Sequence, residues 1–239
     1  MHTPDIYRIW VYLSSTPLLW LSATLVAFAI GDAVSARFHR NPLASPVVIA
    51  AGLLILVLAT TGTPYPIYFE GAQFVHFLLG PATVALGLPL WRNRTAVRRN
   101  LVPMLAALAA GSITAIGSAV GIAWAFGAPQ PVLASLAAKS VTAPIAMALT
   151  ETIGGIPALA AVLVVLTGIF GSVIVTPLMN ALGIRDFAAR GFAVGIASHG
   201  IGTARAFQVS EEAGTFAGIA MGLNGALTAL LFLIVPLFL

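Results

Sequence analysis

The chain has 239 residues, of which 59% are hydrophobic and only 8% charged, with a formal net charge of +4 and a mean hydropathy of +1.02. A soluble domain carries about 25% charged residues, so this chain lacks the polar surface of a globular domain and offers no surface for nucleic acid. The absence of cysteine excludes a disulfide scaffold. We therefore predict an all-α, polytopic integral membrane protein: one transmembrane domain with about six to eight segments, each about 20 residues long.

Three apolar segments are predicted in the first hundred residues, at about 9–30, 46–61 and 71–91. The first is too long for a signal-peptide core, so we expect it to be retained. Arginines follow the first and third segments, whereas the loop after the second, at 63–70, has no Lys or Arg. Because basic loops stay in the cytoplasm, this pattern places the N-terminus outside a cell inner (cytoplasmic) membrane.

The remaining segments are predicted at about 101–126, 132–153, 156–182 and 187–207, followed by a last helix that ends at residue 239. The second and fourth of these contain polar and glycine residues, so each either crosses the membrane or re-enters it. For the segment at 132–153, charge bias favours re-entry. Both topologies place the C-terminus outside. Small residues at spacings of four predict close helix packing in two helices, at Gly117 and Gly121, and at Gly214, Gly218 and Gly222.

A weak internal repeat relates the six residues that begin at Pro81 to the six that begin at Pro144, with an offset of 63 residues. It predicts repeat halves at about 41–100 and 101–239. Two Pro-interrupted segments in corresponding places are typical of the substrate sites of secondary transporters. The alternative is that such a short pattern recurs by chance in a chain rich in Ala and Leu.

Lys139 is the only lysine of the chain and lies in an apolar segment, beside Ser140, Thr142 and Pro144. An ionisable group at membrane depth needs a partner or water. An ammonium, two hydroxyls and the backbone groups released by a proline suit a small carboxylate. In the repeat, Thr83, which follows Pro81, is the counterpart of this cluster. Two alternatives stay open for the lysine: an ion pair with Glu151 and snorkelling to the membrane surface.

A second cluster surrounds a glycine-rich point and consists of His199, Gly200, Gly202, Thr203 and Arg205. The glycines indicate an unwound helix, the histidine titrates near neutral pH, and the guanidinium matches a carboxylate. The alternative is a glycine-packed helix with a polar interface. His199 and Glu151 are the candidates for proton coupling, and we expect no metal and no cofactor.

Four stretches of the sequence, at residues 139–146 (KSVTAPIA), 153–157 (IGGIP), 188–195 (AARGFAVG) and 197–205 (ASHGIGTAR), resemble the LrgB/CidB family. Residues 41–43 (NPL), 80–86 (GPATVAL) and 89–91 (PLW) are also similar to its pattern. The chain departs from it at Ala138, where a proline is usual, and at Ala143, where a second threonine is common. The family was described as antiholin-like regulators of murein hydrolases that act with a small LrgA/CidA-type membrane protein. The resemblance also implies transport of small monocarboxylates, since a plastidial relative carries glycolate and glycerate and bacterial pairs are linked to pyruvate.

Two functions fit these observations. The first is a carrier or facilitator for a small monocarboxylate of the glycolate, glycerate, pyruvate or lactate type, with proton coupling as an option. The second is a holin- or antiholin-like regulator of murein hydrolase activity and autolysis, acting with an LrgA/CidA-type partner. An intramembrane hydrolase is disfavoured, because Lys139 and Ser140 are adjacent and so do not face each other on a helix. The glycine stripes are compatible with a homo-oligomer in the lipid bilayer.

Overall fold

The structure, a computed structural model, describes residues 16–41, 44–85, 91–92 and 94–234. Helices are the only regular elements in this part of the chain. The residues group into two compact units, one up to Ala85 and one after it. The boundary between the predicted repeat halves, after residue 100, lies about fifteen residues beyond the boundary between these units. That the two halves are repeats of each other stays a prediction.

The first unit consists of α1 (Pro17–Arg37), α2 (Pro46–Thr61) and α3 (Tyr65–Ala85). Helices α1 and α2 each begin with a proline in the first turn, where its missing N–H is not needed. Two glycines let the helices meet at backbone distance. A Cβ on Gly31 would lie 2.5 Å from the carbonyl oxygen of Pro46, and one on Gly71 would clash with α1 at Pro17 and Trp20.

The second unit begins with the short α4 (Arg94–Arg99) and continues with α5 (Leu101–Ala125), α6 (Gln130–Ala137), α7 (Ala143–Thr152), α8 (Pro157–Ala181), α9 (Phe187–Val209) and α10 (Glu211–Ile234). Helices α6, α7 and α8 each carry a proline in the first turn, at intervals of 13 residues: Pro131, Pro144 and Pro157. Pro144 therefore starts a helix, rather than loosening the middle of one as the sequence suggested.

Four described helices are long and apolar enough to cross a membrane: α1, α5, α8 and α10. Helix α2 is apolar but has only 16 residues. Large apolar side chains point outward, as Trp124 and Phe170 do with 71% and 69% of their surface exposed. Such an exterior suits lipid, and the small residues face the interior of the protein. The protein is thus an all-helical membrane protein, while the predicted count of six to eight segments is not reached by the described residues.

Helices α6 and α7 fold back on each other, and we name residues 130–152 hairpin 1. After α7, the chain returns to α6, where the Ile156 N–H donates to Ser135 Oγ over 2.8 Å, 21 residues apart in sequence. A Cβ on Gly155 would lie 3.1 Å from both Ala134 Cβ and the Ser135 nitrogen. A helix that continued in one direction would separate these residues by about 30 Å. The segment predicted at 132–153 is therefore two short helices joined at a tip, residues 138–142.

Helix α9 also folds back, and we name residues 187–209 hairpin 2. Its tip is His199, whose backbone (φ 42°, ψ −132°) is not helical. A Cβ on Gly202 would lie 2.9 Å from Val194 Cγ2, although eight residues of straight helix span about 12 Å.

The contacts of α10 confirm the fold of hairpin 2. The first arm runs parallel to α10, since Gly191 meets Ala213 and Gly195 meets Ala217. The second arm runs antiparallel to it, since Phe207 packs on Gly214 and, further along, Thr203 contacts Met221. Hairpin 2 thus enters the unit and leaves it at the same end, so the segment predicted at 187–207 does not cross.

The other predicted boundaries agree with the structure to different degrees. Helices α2, α5 and α8 match the predicted segments within one residue at each end. Helix α1 continues to Arg37, beyond the predicted end near residue 30, and α3 begins at Tyr65 instead of 71. The predicted starts and ends at 9–15, 86–90 and 235–239 lie outside the described residues. Three of the predicted packing glycines lie at open positions, because an added Cβ would meet nothing within 4 Å: Gly117, Gly121 and Gly222.

Candidate functional site

The tips of the two hairpins meet beside the same turn of α8. Val141 of hairpin 1 packs in one buried cluster with Val164, and the Val164 carbonyl oxygen lies 2.8 Å from His199 Nε2 of hairpin 2. Hairpin 1 precedes the first residue of α8 and hairpin 2 follows its last turn, so the hairpins approach from opposite ends of this helix. We name the meeting point the tip junction: Lys139, Ser140, Ser198, His199 and Asn224.

Lys139 and Ser140 form the hairpin 1 side of the tip junction. Both lie in the turn between α6 and α7, where Ser140 is buried and Lys139 is half-buried. Lys139 Nζ donates a hydrogen bond of 3.1 Å to Ser140 Oγ. Lys139 lies between the negative end of α6 at Ala137 and the positive end of α7 at Ala143, so the two helix dipoles act on its charge in opposite directions.

His199 forms the hairpin 2 side and is 4% exposed. Since a carbonyl oxygen only accepts, its Nε2 carries the hydrogen that is donated to Val164, and Nδ1 is the atom that gains or loses a proton. A positive φ on a residue other than glycine is strained, and such strain concentrates at functional sites.

Asn224 of α10 links the two tips. Its Nδ2 donates to the carbonyl oxygen of Ser140 over 3.0 Å and to that of Ile196 over 3.3 Å, while its Oδ1 accepts from Ser112 Oγ of α5 at 2.5 Å. The side chain is 2% exposed. Neither Asn224 nor Ser112 was expected among the site residues from the sequence. The available signal was a lone amide between two glycines of an apolar helix, which does not reveal its partners.

The other glycine and threonine residues of the second predicted cluster lie at the tip of hairpin 2 or at the start of its second arm. Thr203 Oγ1 donates to the His199 carbonyl oxygen over 2.8 Å, and a Cβ on Gly202 would meet Ser198 and Val194. Gly200 has open space around it, since a Cβ there would meet only Met221 Sδ, at 3.9 Å. These residues shape the fold-back.

Arg205 lies along the second arm of hairpin 2, away from the tip. It is six residues after His199, about 9 Å along a helix, and its Nη1 lies 3.3 Å from Gln208 Oε1. It lines a cavity of about 30 Å³ together with Arg190, between α8 and the two arms. The structure therefore separates this guanidinium from the His199 imidazole, although their proximity in sequence had placed them in one predicted cluster.

Of the remaining predicted residues, Thr142 lies in the tip of hairpin 1, and the others lie away from the tip junction or outside its unit. Thr142 precedes α7 as its N-cap, and Pro144 occupies the first turn. Glu151 is exposed in the last turn of α7, and no ion pair joins it to Lys139. Pro81 is exposed within α3 of the first unit, and the side chain of Thr83 lies outside the described parts of that helix. Their predicted roles in a site stay predictions.

The charge of the tip junction is positive. Lys139 and His199 are both basic side chains, and within the described residues no Asp or Glu forms an ion pair with either. No group of three His, Asp or Glu side chains suited to a metal ion occurs in that same part of the chain. Buried cations need counter-charges, so this arrangement favours a small anion.

The comparisons with known proteins agree on one family. The model of the LrgB-like family matches residues 24–238. YwbG of Bacillus subtilis is 34% identical over 208 residues, which cover 87% of this chain and 92% of YwbG. The holin-like protein CidB of Staphylococcus epidermidis is 26% identical, covering 90% of this chain and 93% of CidB, and that of Staphylococcus aureus strain Mu50 is 27% identical over the same shares. No solved structure shows a significant match.

The family match spans nine-tenths of the chain and includes both hairpins, α8 and α10. The resemblance seen in the sequence around Lys139 and His199 is therefore confirmed over nearly the whole protein. This chain belongs to the LrgB-like family of membrane proteins.

Proposed function

We propose that the chain is a carrier or facilitator of small monocarboxylates, of the glycolate, glycerate, pyruvate or lactate type, and that the tip junction is its substrate site. The observation that carries this proposal is the meeting of two helical hairpins at Lys139 and His199, with no carboxylate among the described residues paired to either. Broken helices that meet near the middle of the protein are a common way to build a substrate site in secondary transporters.

The substrate carboxylate binds to the Lys139 ammonium, and the Ser140 hydroxyl adds a hydrogen bond. The two groups are already 3.1 Å apart and share one turn. Charge-assisted hydrogen bonds of this kind are about twice as strong as neutral ones. His199 adds a second positive charge when its Nδ1 is protonated, so that proton and anion bind together.

The hairpins act as gates for the two sides of the membrane. Because they approach from opposite ends of α8, movement of hairpin 1 opens the junction to one side, and movement of hairpin 2 opens it to the other. With the basic loops in the cytoplasm, hairpin 1 faces the outside of an inner membrane, hairpin 2 faces the cytoplasm, and both termini lie outside.

The test is counterflow of radiolabelled glycolate, pyruvate and lactate into proteoliposomes that contain wild type, Lys139→Ala or Ser172→Ala. Ser172 is a matched control, since it is a buried hydroxyl that donates to its own helix, at the Ile169 carbonyl. We expect saturable uptake in wild type and Ser172→Ala, and at least a tenfold loss in Lys139→Ala. Uptake unchanged in Lys139→Ala would refute the site.

A second candidate function is holin- or antiholin-like control of murein hydrolase activity and autolysis, together with an LrgA/CidA-type partner. The comparisons favour this function over the first, since two of the relatives reported above are named holin-like and neither name mentions a carboxylate. It predicts leakage of a small dye from the same proteoliposomes once the partner is added, unaffected by Lys139→Ala. Carboxylate uptake that requires the partner would instead indicate a two-component carrier.

A further inference from the structure

We infer that Asn224 is the positioning residue of the tip junction: its single amide group holds the two hairpin tips together, so that Lys139 and His199 face one substrate. The inference rests on the proposed carrier function, in which Asn224 has had no role so far. It follows from three hydrogen bonds of one buried side chain.

The two carbonyl groups to which Asn224 donates both lie at chain reversals. Ser140 lies in the turn between two helices, and Ile196 lies one turn before Gly200, so the break at His199 removes its regular helical partner. A backbone carbonyl inside a membrane protein needs a donor, because there is no bulk water to supply one. At each fold-back, a carbonyl therefore requires a hydrogen bond from elsewhere in the protein.

The Asn224 amide is suited to satisfy both carbonyls at once. A primary amide carries two N–H groups on one nitrogen, and Asn224 uses them on the two carbonyls, at 3.0 and 3.3 Å. A hydroxyl would have one hydrogen and a carboxylate none. The Ser112 hydroxyl of α5 fixes the orientation of the amide by donating to Oδ1 at 2.5 Å. The two tips, α5 and α10 are therefore joined at a single side chain.

The Asn224 amide also fixes the spacing between the two positive groups. Lys139 immediately precedes Ser140, and His199 follows Ile196 by three residues, so each charge lies close to one of the two carbonyls that the amide holds. The hydrogen bonds of Asn224 go to backbone carbonyls and to Ser112 rather than to either charged side chain, so it acts through the backbone of both tips. Its loss is expected to weaken substrate binding more than turnover, since the two charges would no longer be held at one spacing.

The experiment compares Asn224→Asp and Asn224→Ala with wild type and the control Ser172→Ala. Asn224→Asp keeps the side-chain size and the acceptor for Ser112, but it leaves no donor when ionised and a single donor when protonated. Two readouts are taken: KM and Vmax of carboxylate counterflow, and hydrogen–deuterium exchange of the amides at 138–142 and 197–201. We expect KM to rise about tenfold in both variants with a smaller change in Vmax. We also expect faster exchange at both tips together.

An unchanged KM, or faster exchange at one tip only, would overturn the inference. If the Asn224 variants fail to insert, Ser112→Ala replaces them, because it removes only the bond that orients the amide. It is expected to raise KM about two- to threefold and to speed exchange at both tips, and no change at either tip would overturn the inference. If wild type shows no counterflow, the carrier function fails by itself, while the exchange data still decide whether Asn224 holds the tips.

Discussion

His199 Nε2 lies 2.8 Å from the carbonyl oxygen of Val164, so the imidazole at the tip of hairpin 2 is anchored to a helix of the same unit. The backbone of His199 has φ 42° and ψ −132°, a conformation that glycine adopts readily and other residues rarely do. The imidazole bond and the packing around it therefore hold a strained residue in place. Substitutions at His199 can therefore test two effects separately: the loss of the imidazole bond and the strain of the positive φ.

We predict that His199→Gly is more stable than His199→Ala by about 1 kcal/mol. Both variants lose the bond to Val164, but only alanine keeps the unfavourable positive φ. Thermal unfolding of the purified variants in the same detergent measures this difference. Equal melting temperatures would mean that the tip relaxes once the imidazole is gone, and that the strain depends on the Val164 bond.

We predict that His199, rather than Glu151, makes carboxylate counterflow depend on pH. Lowering the pH protonates Nδ1 and adds a positive charge beside Lys139, so the KM for an anion should fall as the pH is lowered. In His199→Gln this dependence should disappear. In Glu151→Gln it should persist, because that residue is exposed in the last turn of α7. A flat profile in Glu151→Gln would assign the coupling to the carboxylate instead.

We predict that Gly195→Ala destabilises the protein by about 1–3 kcal/mol, whereas Gly222→Ala does not. A Cβ at Gly195 would clash with the carbonyl oxygen of Ala217, so hairpin 2 and α10 would have to separate. At Gly222 a Cβ meets nothing within 4 Å, and alanine is the better helix former there. Melting temperatures of the two variants, measured side by side, check this. Similar values would show that the contact of hairpin 2 with α10 is not tightly packed.

The Lys139 cluster shows what can be predicted from residue types alone. A single lysine among hydroxyls in an apolar segment predicts a buried cation, and the structure places Lys139 with Ser140 in a buried turn. The same reasoning grouped His199 with Arg205, because six residues separate them. Hairpin 2 places one at its tip and the other along an arm, next to Arg190. Distance along a sequence does not reveal on which side of a chain reversal a residue lies.

The sequence by itself determined that the protein belongs in a membrane, where most of its long helices begin and end, and which family it belongs to. These follow from composition, runs of apolar residues and local motifs, all of which act over short stretches of chain. Only the tertiary structure decided that segments 130–152 and 187–209 fold back and that Asn224 joins their tips. The physical reason is that a reversal inside an apolar segment becomes stable only when distant residues supply its missing hydrogen bonds. Here the donor lies 84 residues beyond Ser140 and 28 beyond Ile196.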